Sequence, residues 1–270
     1  MAPFDYFLAV ILVIGLGAWA KREHSRVEHA IFAGNVSARM SGYRRVIVVQ
    51  WSLIVLLAAH WVLTARDVAD LGLTLPLDWR MGVGLAIAAA GTGFLWYQLQ
   101  SVRRSEEDRE DARKALRELE WLLPHNPQEL DAFMRVSATA GICEEVLYRG
   151  FLPWFLAQWM PFWVAMMVSG VLFGLAHAYQ GRTGVIKTGL IGIAFGGLTL
   201  LAESIVPAIL LHIAVDALNG QLAYVVISTP RPRPVVDEFF VEEGPEDAED
   251  EEFEPDPDEP DQPDDEEVRG

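Results

Sequence analysis

Six ionisable side chains in the C-terminal half of this chain lie within apolar stretches, in three groups. A charge at the centre of a membrane helix costs about 2.5–3.5 kcal/mol on insertion scales, so each group needs a reason to be there. The first group is Glu144-Glu145-Val146-Leu147-Tyr148-Arg149. Glu145 and Arg149 are four apart on one helix face and can pair. Glu144 points about 100° away and cannot share that partner equally. A less compensated carboxylate in low dielectric suits general acid or base work near neutral pH.

The second group is Phe173-Gly174-Leu175-Ala176-His177. Phe173 and His177 share a face, and Gly174 and Ala176 let a neighbouring helix come close. In the third, His212 and Asp216 are again four apart. Asp216 can accept the proton of one imidazole nitrogen and leave the other for substrate, water or metal. Buried histidines and Glu–Arg pairs also serve as plain ties between helices. Three groups in one half of the chain, with no evident partner for Glu144, favour a functional site.

The elements that must position these residues are apolar blocks of about 20 residues, the length that crosses a bilayer as a helix. Seven spans are expected: Phe4–Ala20, Val46–Thr64, Met81–Leu99, Leu130–Phe155, Phe162–Ala178, Val185–Ala202 and Ile205–Ile227. The fold class is all-α, a polytopic transmembrane bundle. The connection Lys21–Arg45 holds six basic residues, Ala65–Arg80 two, and Gln100–Glu129 six. Positive loops stay inside, which predicts an outside N-terminus and a cytoplasmic C-terminal tail that begins with Arg231 and Arg233. Glu144 then lies about 20 Å along its helix, and His212 about 10 Å into its own from the other side. Those two are level, whereas His177 falls near the cytoplasmic end of its span.

The formal net charge of −17 is a property of the tail, because residues 236–270 hold 19 acidic groups and one Arg. The expected organisation is an N-terminal three-helix region at 1–99, a charged cytoplasmic connection at 100–129, a site-bearing membrane domain at 130–227 and a disordered acidic tail at 228–270. Such a tail repels phosphates, so nucleic acid is not an expected partner. The single cysteine, Cys143, excludes an intrachain disulfide and reads as a small packing residue. The nine tryptophans fall near helix ends and read as interfacial anchors.

The three motifs in order resemble the family of CAAX proteases and bacteriocin-processing enzymes, also called the Abi or type II CAAX prenyl endopeptidase family. The likeness runs from Leu130 to Tyr224 and includes the flanking Ala140-Gly141-Ile142-Cys143 and Val206-Pro207-Ala208-Ile209-Leu210-Leu211. It implies a helical intramembrane endopeptidase in a membrane, the bacterial cytoplasmic membrane by the family pattern. A membrane-associated protein or peptide is the expected substrate and the lipid bilayer the expected surroundings. By the same resemblance Glu144 and His177 activate water, and His212 and Asp216 stabilise the oxyanion. Glu145, Arg149 and Phe173 support the site. The family is described both with and without a divalent metal such as zinc. If a metal is bound, Glu144, His177 and His212 are its expected ligands. Some relatives carry Asn where this chain has Asp216, and an ionised Asp cannot donate to an oxyanion.

Two other readings compete. Buried Glu, His and Asp also form relays in proton or ion transporters, although the paired repeats common in transporters are not seen here. A non-catalytic immunity or scaffold protein of the same fold is the other, but it gains nothing from an unpaired carboxylate in lipid.

Overall fold

Backbone amides in lipid must find partners within their own segment, and helices satisfy that demand. The computed structural model describes residues 1–117 and 119–230, and among these there is no strand. Helix α1 spans Pro3–Phe32, with a π-helical turn at Ile11–Gly15. Helix α2 is Ala38–Leu63, α3 is Trp79–Arg104 and α4 is Glu106–Leu116. Helix α5 begins as Pro127–Glu145, widens into a π-helical turn at Val146–Phe151 and ends as Leu152–Leu156. Helices α6, α7 and α8 are Phe162–Ala176, Gly181–Ala202 and Val206–Ser228. The expected disordered tail lies outside the described residues from position 231 onward.

Among the described residues five helical segments are long and apolar enough to cross a membrane: α1, α2, α3, Ala178–Ala202 and α8. The expected count of seven spans is therefore not reached on these grounds. Helix α6 has 15 residues, about 22 Å of rise against a hydrocarbon core of about 30 Å. Helix α5 carries Asp131, Arg135, Glu144, Glu145 and Arg149. Exposed Val55, Phe94, Val171, Leu175 and Leu190 cover the outside of the bundle, the arrangement expected where lipid replaces water.

Local chemistry sets the helix ends. Asn126 caps α5 by accepting from the Glu129 amide, and Pro127 occupies the first turn, where its missing N–H costs nothing. Helix α5 thus starts three residues before the expected Leu130. Helix α1 continues through Lys21–Phe32, where a connection was expected. In the charged segment, Arg113–Glu110 and Lys114–Asp111 pair at 2.7 and 2.9 Å on α4.

Helix α5 packs between α2 and α8, α8 also packs on α3, and α6 packs on α7. Leu12, Leu57, Trp61, Leu147, Phe151 and Ile205 are buried in one cluster. Trp61 belongs to this interior, not to the interfacial belt expected of the tryptophans. Gly141 sets the α5–α8 distance: a Cβ there would run into the Ile213 side chain and lie 2.9 Å from its backbone nitrogen. Gly174 plays the same part between α6 and α7, with Gly189 Cα and the Val185 carbonyl 2.7 Å from such a Cβ.

Gly141→Val is expected to lower stability by about 1–3 kcal/mol or more through overpacking. Gly197→Ala, where a Cβ meets nothing within 4 Å, is expected to be neutral. Thermal unfolding of the two variants in detergent checks the contrast.

Candidate active site

The site begins with the widened turn of α5. Pro153 has no N–H, and its ring clashes with a tight preceding turn. The Leu152 amide bonds back to the Leu147 carbonyl in the wider register, which leaves the Tyr148 carbonyl without a helical donor. The Ser169 hydroxyl of α6 donates to that carbonyl. The Tyr148 hydroxyl donates to the Leu12 carbonyl of α1 at 3.0 Å. The π-helical turn, a feature frequent at functional sites, thus ties α5 to α6 and α1 directly beside Glu144 and Glu145.

Glu145 is fully buried and its side chain pairs with Arg149 at 2.9 Å. The same oxygen faces His212 Nδ1 at 2.7 Å. A carboxylate accepts, so Nδ1–H donates and Nε2 turns the other way. There it lies 3.9 Å from Glu144 Oε2 and 3.7 Å from Asp216 Oδ2. The partner of the His212 ring is thus Glu145, and Asp216 is on the opposite nitrogen. Asp216 is the more open of the two acids, with its side chain 35% exposed.

His177 follows the last residue of α6. Its Nδ1 donates to the Phe173 carbonyl at 2.8 Å, since a carbonyl only accepts. Its Nε2 faces Glu144 Oε2 at 3.9 Å. His177 thus meets the other two groups although it stands at the end of its helix, where the chain turns at Ala178–Gln180. Phe173 packs at the centre, its ring 4.6 Å from that of His177 and 6.1 Å from that of His212. The Arg149 guanidinium lies 4.4 Å from the Phe173 centroid, a cation–π contact. Arg149 also donates to the Gly192 carbonyl of α7 at 3.3 Å.

All seven residues singled out from the sequence, Glu144, Glu145, Arg149, Phe173, His177, His212 and Asp216, therefore meet. One partner was missed. Gln50 of α2 donates from Nε2 to Glu144 Oε1 at 2.6 Å. The signal was a lone amide in the apolar block Val46–Thr64. Glu144, His177 and Gln50 line a cleft enclosing about 740 Å³ with its open mouth, together with Trp19, His24 and Leu122.

Among the described residues no three His, Cys, Asp or Glu side chains are grouped so as to hold a metal. Zinc bonds of about 2.0–2.2 Å place tetrahedral donors about 3.3 Å apart, closer than the 3.9 Å from Glu144 to each histidine. The conditional ligand set Glu144, His177 and His212 is gathered but not at that spacing, and no step below passes through a metal.

A helical membrane protein with a Glu–His–His group beside an apolar cleft is the class these features define. Residues 126–218 match the family described as type II CAAX prenyl endopeptidase Rce1-like. The segment is similar to that family, a protease family, and the three motifs that carry the resemblance fall within it. No curated protein and no solved structure matches the chain.

Arg149→Met strips the main counter-charge from Glu145 and is expected to cost about 3–5 kcal/mol. The double variant Glu145→Gln/Arg149→Met should recover part of that loss. Thermal unfolding of both in detergent reads the difference.

Proposed function

We propose that this chain is an intramembrane endopeptidase that hydrolyses a peptide bond of a membrane-associated protein, with Glu144 as general base. The observation that carries the proposal is the position of Glu144 Oε2, 3.9 Å from Nε2 of both His177 and His212 beside an apolar cleft. One water molecule fits within hydrogen-bond reach of that oxygen and the His177 nitrogen, because two bonds of about 2.8 Å span such a gap at an ordinary angle.

Glu144 takes one proton from this water while the His177 Nε2 lone pair accepts the other hydrogen and fixes its direction. The water oxygen bonds to the scissile carbonyl carbon. His212, when protonated, donates Nε2–H to the developing oxyanion, and Glu145 holds the ring in that orientation through Nδ1. Glu144 then returns its proton to the departing nitrogen as the C–N bond breaks, giving a new carboxyl group and a free amine. Asp216 sits on the oxyanion side of His212 and acts on that nitrogen electrostatically, a role that does not require it to orient the ring.

The family description points to prenylated C-terminal peptides as the substrate class. The apolar cleft beside Glu144 and the surrounding lipid-facing helices favour a chain that arrives from the membrane.

The test is hydrolysis of a farnesylated fluorogenic peptide by the purified full chain in lipid vesicles. Glu144→Ala is expected to lower the rate by about 10²–10⁴-fold, the usual contribution of general acid–base catalysis. Asp216→Asn is expected to stay within about tenfold of wild type, because the Nδ1 contact with Glu145 is untouched. Cleavage undiminished in Glu144→Ala overturns the assignment.

A further inference from the structure

Gln50 lies on α2, outside the matched segment 126–218, and is buried. Among the described residues its amide is the group within hydrogen-bond distance of the Glu144 side chain. The other groups facing that carboxylate, His177 on α6 and His212 on α8, stand at 3.9 Å. Ionised carboxylate oxygens only accept, so the NH₂ end of Gln50 faces Glu144 and the carbonyl end faces elsewhere.

That carbonyl oxygen is the informative atom. Gln50 Oε1 is buried and has no hydrogen-bond partner among the described residues. Buried polar atoms nearly always have one, and leaving one unmade costs about 1–3 kcal/mol. Gln50 also lines the cleft that Glu144 and His177 line. An unmet acceptor beside a carboxylate poised for hydrolysis matches the one donor every peptide substrate carries, its backbone N–H.

We infer that Gln50 is a further residue of the site: its NH₂ group positions Glu144, and its carbonyl accepts a substrate backbone N–H beside the bond that is cut. The second half rests on the endopeptidase reading above. The first half does not, since it concerns two side chains of the chain itself. The N-terminal helices thereby supply part of the substrate contact.

The experiment uses the full chain with Gln50→Met, which keeps a similar volume without donor or acceptor; Gln50→Leu serves if the first variant folds poorly. The Glu144 carboxylate stretch, identified in the infrared spectrum by its loss in Glu144→Gln, is recorded with and without Gln50. It is expected to move when the amide is removed. On the farnesylated peptide, kcat is expected to fall about tenfold and KM to rise several-fold, the scale of single hydrogen bonds near a charge. An unmoved carboxylate band overturns the positioning role. A lower kcat with unchanged KM overturns the acceptor role. If wild type cleaves no peptide, the endopeptidase reading and the acceptor role fall together, and the infrared band still decides the bond between Gln50 and Glu144.

Discussion

The architecture of the site depends on one buried carboxylate oxygen. Glu145 Oε1 lies 2.9 Å from the Arg149 guanidinium and 2.7 Å from His212 Nδ1. In a low dielectric an uncompensated carboxylate costs several kcal/mol, so neither contact is dispensable. Meeting both fixes α5 against α8, and the Arg149 bond to the Gly192 carbonyl brings in α7. The direction of His212 follows, with Nε2 left toward Glu144 and Asp216. The close α5–α8 approach this needs is made possible by Gly141, three positions before Glu144.

The neighbouring carboxylate is treated differently. Glu144 has no cation within direct hydrogen-bond distance among the described residues, only an amide from α2 and two imidazoles at longer range. Two adjacent acids thus have different surroundings: Glu145 is paired and ties the helices, and Glu144 is the general base of the proposed mechanism. Helices α1 and α2 contribute to these surroundings. They supply Gln50, the Leu12 carbonyl that receives Tyr148, and much of the cleft wall. The segment after α4 closes another side, since the Leu122 carbonyl accepts from Tyr43 at 2.6 Å and Trp121 packs on His24 at 4.5 Å. Arg39 anchors that segment by donating to the Trp121 carbonyl at 2.9 Å and pairing with buried Glu129 at 2.8 Å.

Much of this is legible in the sequence. Spacing of four placed Glu145 with Arg149, and the cost of charge in lipid singled out Glu144, His177 and His212, which the fold brings together. The partner of His212 was not legible. Intrahelical spacing pointed to Asp216, whereas the short contact is made across helices by Glu145, and no one-dimensional pattern encodes such a crossing. The end of α6 was not legible for a related reason: an apolar run reads the same whether the helix continues to Ala178 or stops at Ala176 and turns. Gln50 was visible as a lone amide in an apolar block, but its meaning comes only from the packing of α2 on α5. Span count differs from the expectation because α5 carries Asp131, Arg135, Glu144, Glu145 and Arg149 and α6 has 15 residues.

In the proposed mechanism Glu144, His177 and His212 surround the reacting carbonyl. An experimental structure of the full chain with a peptide phosphinate, a mimic of the tetrahedral intermediate, shows whether they do. One phosphinate oxygen is expected within hydrogen-bond distance of Glu144 and the other within reach of His212 Nε2, with the peptide in the cleft lined by Gln50. A phosphinate bound away from Glu144, with the cleft filled by lipid or by side chains of the protein, would overturn this arrangement.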